Sequence, residues 1–267
     1  MIKVHILPDE MLNPTHPVTI CVIGCGGTGS QVLTSLARIN HNLNALGHPG
    51  IYVVTFDPDT VSPSNVGRQL FSESDIGFNK AVLLTTRINA FYGTSWEAVP
   101  EYYTKETGIR CNITITCVDN VKARREIAEI LDSYKKRCHY VEPYLKTFYW
   151  MDLGNTRNTG QVILGTLQEI KQQESTIYDT IGKLPSLTER FNLKKIKEKD
   201  SGPSCSHAEA LKQQNLFINS SLAQLGCDMI WELLSEGMIN YAGFYLNLKT
   251  KCMNPMPLEK VKDKKNS

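Results

Sequence analysis

An α/β fold is what this sequence predicts, and three stretches support it. A short apolar run, Val18–Ile23, breaks into a glycine-rich turn at Gly24–Gly29 and continues into a helical pattern over Ser30–Ile39. Two further apolar runs, Ile51–Phe56 and Ile113–Val118, have the continuous hydrophobic character of buried parallel strands and are followed by helical patterns. The length of 267 residues suits one large α/β domain, with or without a small addition.

Composition excludes several classes of protein. The sequence is 41% hydrophobic and 21% charged, which is ordinary for a globular domain. Its net charge of +2 gives no electrostatic argument for a nucleic-acid partner. No apolar run approaches the roughly 20 residues that span a bilayer, so no membrane partner is expected. The first residues lack the pattern of a signal peptide, so we expect a cytoplasmic protein.

The cysteines predict neither a disulfide framework nor a structural zinc site. None of the eight forms a CxxC pair, the spacing from which four-cysteine zinc sites are built. Most lie in apolar patterns typical of small core residues, and in a cytosolic protein they should be reduced. The eight are Cys21, Cys25, Cys111, Cys117, Cys138, Cys205, Cys227 and Cys252.

The strand, glycine turn and helix at residues 18–39 indicate a nucleotide site. Glycines permit a tight turn and let backbone N–H groups approach phosphate oxygens, and the following helix directs its positive end at them. The candidate residues are Gly24, Gly26, Gly27 and Gly29. The alternative is a plain strand-to-helix turn.

After the second strand come Asp57 and Asp59, at the place where a ribose is usually held. The alternative is that they are turn or helix-cap aspartates.

The segment that follows carries more positive charge than a dinucleotide diphosphate needs. Asn65, Arg68 and Gln69 lie in a polar, turn-rich stretch, and Lys80 begins the next helix. Two extra cations this close to a nucleotide motif favour a triphosphate. A solvated basic pair is the alternative.

Asp119 and Asn120 follow the strand Ile113–Val118, where ligands of open α/β sheets bind. A carboxylate there is well placed to hold Mg²⁺ together with phosphates. The alternative is that Asp119 acts only as an N-cap for the next helix, Val121–Leu131.

Four ordered blocks resemble the ThiF/MoeB/HesA family, whose members activate ubiquitin-like proteins and sulfur carriers. The resemblance covers roughly residues 18–145 well and is thinner beyond them. The blocks are GCGGTG (Gly24–Gly29), FDPDTVSPSNVGRQLF (Phe56–Phe71), DIGFNKA (Asp75–Ala81) and CVDN (Cys117–Asn120). VGRQLF and the later FINSSLAQL are most similar to the ThiF-type protein of PRTRC plasmid and mobile-element systems.

The resemblance implies a Rossmann-like ThiF/MoeB fold. Its mixed sheet is expected to be parallel in the first half and antiparallel in the second, with helices on both faces. Residues 18–258 would form a single adenylation domain after an arm or edge strand at 1–17. Residues 168–204 would form a flexible crossover segment, a long helix would run from about Ala208 to Glu236, and 259–267 would be a basic disordered tail.

The resemblance also implies the chemistry. The glycine loop would lie near the ATP phosphates and Asp57 on the ribose. Asn65, Arg68 and Lys80 would contact the phosphates with Gln69 near them, while Asp119 would coordinate Mg²⁺ and help place the acyl-adenylate. The C-terminal glycine carboxylate of a ubiquitin-like protein would attack the α-phosphate.

Cys205 matches the family cysteine that forms a thioester in several relatives. It lies between two serines at an expected helix start, where a thiol pKa is lowered, and His207 is nearby. A structural cysteine, or an idle one in an enzyme that only adenylates, is the alternative.

Two departures from the family pattern matter. The usual zinc-binding CxxC pairs are missing. Many homodimeric relatives also send an early arginine into the partner's ATP site, whereas no arginine precedes Arg38 here. A homodimer is expected from the resemblance, as is a conjugating-enzyme-like partner from the PRTRC likeness. An NAD(P)-dependent oxidoreductase and a non-catalytic binding scaffold stay open as alternatives.

Overall fold

The structure is a computed structural model that describes residues 1–107, 109–135, 146–195 and 214–259. Strands and helices alternate over the first half of the chain, as the sequence predicts. The strands are β1 (Ile2–Ile6), β2 (Val18–Ile23), β3 (Ile51–Phe56), β4 (Glu97–Val99), β5 (Ile113–Thr116), β6 (Tyr149–Asn155), β7 (Thr159–Thr166), β8 (Tyr178–Thr180), β9 (Met238–Ile239), β10 (Tyr241–Asn247) and β11 (Cys252–Pro257). The α-helices are α1 (Asp9–Leu12), α2 (Gly27–Ala45), α3 (Lys80–Tyr92), α4 (Val121–Lys135), α5 (Leu187–Arg190) and α6 (Ile218–Glu236).

One mixed sheet of eight strands organises the molecule. Its order is β11-β10-β7-β6-β5-β2-β3-β4. Five neighbouring strands are parallel, namely β4, β3, β2, β5 and β6. The strands β7, β10 and β11 extend the sheet beyond β6 by antiparallel pairing. The predicted fold class is therefore confirmed, with the early strands parallel and the later ones antiparallel.

Helices cover both faces of this sheet. Along β2, Ile20 and Val22 join the core that contains α2, α3 and α6, whereas Cys21 and Ile23 join the core that contains α4 and α5. Successive side chains of a strand point to opposite faces, which produces these two cores. Within the described residues, no helix is both long and apolar enough to span a bilayer.

The strand order creates a crevice at the centre of the sheet. From β2 the chain passes to β3 on one side, and it later returns to β5 on the other side of β2. Such a reversal leaves space between the two connections at the carboxyl ends of the strands, where α/β proteins bind ligands. The glycine-rich loop and Asp119 both follow strands that end at this edge.

Part of the first seventeen residues pairs and packs with the rest of the fold, which corrects the expectation of an arm or edge strand. β1 is the central strand of a second sheet of order β8-β1-β9, parallel to β8 and antiparallel to β9. Leu7 and Met11 are buried in the main core. The partners of β1 come from the far end of the chain, so no local pattern in the sequence could predict the pairing.

His5 connects this second sheet to the large one. It is fully buried, with Nδ1 2.6 Å from the Ile181 carbonyl oxygen and Nε2 2.8 Å from the Tyr149 hydroxyl. Because a carbonyl can only accept, Nδ1 carries the proton and Nε2 accepts from the tyrosine. Burial, the largest cause, lowers the pKa of His5 from 6.5 to about 4.

The burial of His5 predicts acid-sensitive stability. Unfolded His5 binds a proton near pH 6.5 and folded His5 only near pH 4, so the unfolded state binds more protons between these values. Stability should be fully present above pH 6.5 and fall by about 3 kcal/mol toward pH 4. Urea unfolding from pH 7 to 4.5 should show a shallower decline for His5→Asn than for the wild type. Parallel curves for the two proteins would contradict this assignment.

Several later elements differ from the sequence expectations. The strand expected at 139–142 lies outside the described residues. The strand that pairs with β5 on this side is β6. Because β6 contains Asp152 and Gly154, it lacks the uninterrupted apolar run of a typical buried strand. Of the helix expected from about 208 to 236, residues 208–213 lie outside the described residues, 214–217 form a non-helical turn, and α6 runs over Ile218–Glu236. Of the segment 168–204, residues 168–195 are described and include β8 and α5. The tail from 260 lies outside the described residues.

Candidate functional site

The glycine-rich loop at 24–29 joins β2 to α2 at the central crevice. Gly24 has a φ of 93°, and a Cβ there would lie 3.1 Å from the carbonyl carbon and oxygen of Cys117. A Cβ on Gly29 would lie only 1.8 Å from the Gly24 carbonyl oxygen. The loop is therefore folded so closely on itself and on the end of β5 that both positions need glycine. Helix α2 starts inside the loop, so N–H groups without helical acceptors lie at this edge.

Asp57 holds the glycine loop against the end of β3. Its Oδ2 accepts a hydrogen bond from the Cys25 N–H at 2.6 Å, and its Oδ1 accepts one from the Asp59 N–H at 2.9 Å. Burial raises the pKa of Asp57, although these hydrogen bonds and the charge of Lys80 act in the opposite direction. The carboxylate thus has a structural task in the loop, and its role toward a ribose stays a prediction.

Lys80 is a buried cation at the base of the loop. Its Nζ lies 2.9 Å from Asp59 Oδ2, and the side chain of Lys80 is 9% exposed whereas that of Asp59 is 64% exposed. Asn79 caps α3 by accepting a hydrogen bond from the Val82 N–H, and it also donates to the backbone of Asp57. The start of α3 is in this way fastened to the end of β3, which fixes the position of Lys80.

Arg68 approaches the crevice from the segment between β3 and α3. Its Nη1 donates a hydrogen bond to Gln214 Oε1 at 2.8 Å, whereas its buried Nε has no hydrogen-bond partner within the part of the chain that the structure describes. Burial lowers the pKa of Arg68, and the nearby negative charge of Asp119 partly restores it. One edge of the guanidinium is therefore held by protein while a buried donor remains available, as expected of a group that binds an anion.

Asn65 and Gln69 lie in the same segment as Arg68. The Asn65 Oδ1 accepts hydrogen bonds from the N–H and hydroxyl of Ser62, which caps the short 3₁₀ helix Pro63–Asn65. Gln69 is buried beside Gly26, and none of the described residues gives its Oε1 a hydrogen bond. Asn65 therefore shapes the segment, and Gln69 presents an unfilled amide acceptor near the loop.

Asp119 and Asn120 lie exposed between β5 and α4. Asn120 Oδ1 accepts a hydrogen bond from the Ala123 N–H at 2.7 Å, and its Nδ2 donates to Asp119 Oδ1 at 3.2 Å. Asn120 therefore caps α4, the role that was the alternative for Asp119. The Asp119 carboxylate stays accessible at the crevice, near Arg68.

Loss of the Asn120 cap should destabilise the protein. Asn120→Ala should lower the free energy of unfolding by about 1 kcal/mol, since the Ala123 N–H loses its acceptor. Asn120→Asp keeps a capping oxygen and should stay close to the wild type. Urea denaturation of both variants measures the difference. Equal stabilities of Asn120→Ala and Asn120→Asp would show that the cap contributes nothing.

A magnesium ion would find one protein ligand at this site. Across the ranges that the structure describes, no three or more His, Cys, Asp or Glu side chains are grouped to hold a metal. Mg²⁺ bound together with nucleotide phosphates needs only one or two carboxylates and keeps water ligands. The exposed carboxylate of Asp119 fits that requirement.

Sequence reasoning missed two polar side chains behind the loop. Asn219, in the first turn of α6, is 4% exposed; its Oδ1 accepts hydrogen bonds from Thr28 Oγ1 at 3.0 Å and Asn155 Nδ2 at 3.2 Å. Gln214 contacts both Asn219 and Arg68. Asn219 is a polar residue on the buried side of an apolar helix, and such a group needs hydrogen-bond partners inside the protein. This feature of the sequence could have indicated a polar network behind the loop.

A buried ion pair was missed as well. Arg124 of α4 donates from Nε to Asp152 Oδ1 at 3.0 Å and from Nη2 to the Leu153 carbonyl at 3.2 Å. Asp152 is 1% exposed and also accepts a hydrogen bond from Thr116 Oγ1 at 2.6 Å. The pair fixes the beginning of α4, and with it the neighbourhood of Asp119, against β6.

The structure thus brings most of the predicted site residues to one edge of the large sheet. The glycine loop, Asp57, Asp59, Lys80, Gln69, Arg68 and Asp119 are linked by the contacts above. Cys205 and His207 lie outside the described residues.

Comparisons with known proteins agree with this architecture. The model of the ThiF family matches residues 2–267. The NEDD8-activating enzyme E1 catalytic subunit of Schizosaccharomyces pombe is 31% identical in an alignment of 139 positions, which covers 48% of this chain and 28% of that protein. The structure of PaaA has a TM-score of 0.58 at 17% identity, with 94% of this chain and 66% of that chain covered. Escherichia coli MccB with ATP has a TM-score of 0.57 at 14% identity, covering 95% and 67% of the two chains.

These similarities differ in what they establish. The two solved structures are less than 25% identical to this chain, so they show a shared fold alone. This chain spans only 28% of the length of the yeast enzyme and 66% of that of PaaA. The family model, in contrast, covers nearly the whole sequence. The protein is therefore a member of the ThiF family.

Proposed function

We propose that this protein uses ATP to activate the C-terminal glycine carboxylate of a ubiquitin-like protein as an acyl-adenylate. The observation that carries the proposal is the half-buried Arg68 near Asp119 at the crevice, whose buried Nε has no hydrogen-bond partner among the described residues. Membership in the ThiF family supports the same chemistry. The names of similar proteins, a NEDD8-activating enzyme and MccB solved with ATP, agree with it.

The proposed step is a displacement at phosphorus. A carboxylate oxygen forms a bond to the α-phosphorus of ATP, and the bond from that phosphorus to the bridging oxygen of the β-phosphate breaks. Pyrophosphate leaves with the electron pair, so atoms and charge balance. Arg68 and Lys80 would stabilise negative charge as it develops on the phosphates, and the start of α2 would donate backbone N–H groups.

Lys80 can serve the phosphates without a large structural loss. Its partner Asp59 is mostly exposed, so water can solvate that carboxylate when the ammonium turns to a phosphate. Asp119 would hold Mg²⁺, which when bound neutralises phosphate charge. Asp119 would also keep the guanidinium of Arg68 oriented in the crevice, since the two charges attract.

We further propose that Cys205 takes the acyl group from the adenylate. Its thiolate would attack the carbonyl carbon, forming a carbon–sulfur bond while the carbon–oxygen bond to the phosphate breaks and AMP leaves. A conjugating-enzyme-like protein would then receive the acyl group. The homodimer expected from the family belongs to the same proposal.

An NAD(P)-dependent oxidoreductase is the second candidate. The glycine loop and Asp57 fit a dinucleotide site, and the strand order is the one such proteins use. An oxidoreductase function gives no role to Arg68, Lys80 and Asp119 as a set, and this favours the use of ATP. A non-catalytic scaffold, which keeps the fold and binds a partner without turnover, is the third candidate.

Intact-protein mass spectrometry tests the proposal and its thioester step together. The protein is incubated with Mg·ATP and a ubiquitin-like protein ending in glycine, beside a Cys205→Ala variant. We expect pyrophosphate release by both proteins, and a thiol-sensitive adduct with release of AMP for the wild type alone. An adduct that persists in Cys205→Ala would move the acceptor to another residue. No pyrophosphate from the wild type with a partner shown to bind would favour the scaffold.

A further inference from the structure

A chain of polar side chains runs from Arg68 into the protein interior. Arg68 Nη1 donates to Gln214 Oε1 at 2.8 Å, and the same oxygen accepts from Asn219 Nδ2 at 3.2 Å. Asn219 Oδ1 in turn accepts from Thr28 Oγ1 at 3.0 Å and from Gln214 Nε2 at 3.4 Å. We call this set the Arg68–Gln214–Asn219 chain. It joins the anion-binding candidate to the first turn of α2.

The donors and acceptors allow one arrangement of this chain. A guanidinium has only donors, so Gln214 must turn its oxygen toward Arg68. Its amide nitrogen is then directed away from Arg68 and can donate to Asn219. Asn219 is 4% exposed and receives further hydrogen bonds from Thr28 and from Asn155 at the end of β6. Gln214 is therefore anchored by a buried residue that is itself fixed by two elements of the core.

This arrangement determines which edge of Arg68 meets a ligand. Nη1 lies on the side of the guanidinium opposite to the Nε–H, so the hydrogen bond to Gln214 leaves the Nε–H unused. Nε is buried and has no partner among the described residues. A buried donor without an acceptor is costly, and an anionic oxygen would satisfy it.

We infer that Gln214 is a positioning residue that holds Arg68 with its Nε edge presented to a phosphate, and that Asn219 anchors Gln214 for this task. The inference rests on the proposed use of ATP. It adds two residues that contact no reacting atom to the machinery for phosphate binding. The expected consequence is that Gln214 affects ATP affinity only through Arg68.

A double-mutant cycle on the full chain tests this coupling. ATP and adenosine affinities are measured calorimetrically for the wild type, Gln214→Met, Arg68→Ala and the double variant. Methionine preserves the length of glutamine without its hydrogen bonds. Gln214→Met should weaken ATP binding about tenfold in the presence of Arg68 and less than about twofold in the Arg68→Ala background. Adenosine binding should not change, because adenosine lacks phosphates.

Controls separate positioning from a general structural role. Gln172→Met removes a glutamine that contacts Ile6 in the second sheet, and it should leave ATP affinity unchanged. Asn219→Ala should weaken ATP binding, and combining it with Gln214→Met should give less than the product of the two effects.

The possible failures are distinguishable. Weakening of ATP binding by Gln214→Met that persists in Arg68→Ala, or no weakening at all, would overturn the positioning role and leave the proposed function intact. A wild type that binds adenosine but gains nothing from the phosphates of ATP would overturn the proposed function and, with it, this inference.

Discussion

Replacing Lys80 by methionine should lower the rate of adenylate formation by about 10²- to 10³-fold, the usual effect of removing one preorganised charge donor from a transition state. Lys80 is buried at the base of the glycine loop, where its positive charge acts to lower the pKa of Asp57. Methionine keeps the aliphatic stem and removes the ammonium. Release of pyrophosphate in the presence of a ubiquitin-like protein measures the rate.

Stability and a matched control make this result specific. The unfolding free energy of Lys80→Met should change by less than about 1 kcal/mol, since the Asp59 carboxylate is 64% exposed and solvated by water. Lys122→Met on α4 removes an exposed lysine and should leave the rate unchanged. An undiminished rate in Lys80→Met would remove Lys80 from the mechanism.

Replacing Asp152 by alanine should destabilise the protein by about 3–5 kcal/mol. The change leaves the Arg124 guanidinium, whose side chain is 12% exposed, without its charged partner in a site that water scarcely reaches. It also removes the acceptor of the Thr116 hydroxyl. Urea denaturation at pH 7 measures the loss.

A surface ion pair on the same helix provides the comparison. On α4, Asp132 Oδ1 lies 2.8 Å from Lys135 Nζ, and the side chain of Asp132 is 56% exposed. Asp132→Ala should therefore cost less than about 1 kcal/mol. Adding Arg124→Met to Asp152→Ala should recover part of the lost stability, because no charge then remains buried. Equal losses for Asp132→Ala and Asp152→Ala would show that burial does not decide the strength of the pair.

Local sequence patterns were sufficient for the central part of the fold. The run from Val18 through the glycines encodes β2, the loop and α2, since apolar β-branched residues, tight-turn glycines and a helical stripe follow one another. Helix α6 ends at Glu236, as predicted, and Gly237 follows it in the left-handed conformation that glycine adopts easily. The acids and cations after β3 and β5 reach one crevice because the carboxyl ends of parallel strands share an edge.

Elements that depend on distant partners could not be predicted locally. β1 pairs with β8 and β9, which come from far along the chain. β11 contains Pro255 and Pro257, which a strand tolerates at the edge of a sheet, where β11 lies. β6 was obscured by Asp152, whose burial is possible only because Arg124 reaches it from α4.

The site shows the same division between local and distant information. Arg68, Lys80 and Asp119 can be named as candidates from the sequence, because charged residues follow the nucleotide motif in order. Gln214 and Asn219 were not found, because their purpose appears only when the beginning of α6 comes next to the glycine loop.

The central claim is that the crevice activates a carboxylate with ATP, and exchange of labelled pyrophosphate into ATP measures this most directly. The assay contains Mg·ATP and a ubiquitin-like protein shown to bind, with its C-terminal glycine either free or amidated. The account predicts exchange with the free carboxylate, none with the amide, and a loss of about 10²-fold or more in Lys80→Met. Absence of exchange with the free carboxylate, or tighter binding of NAD⁺ than of ATP, would contradict it.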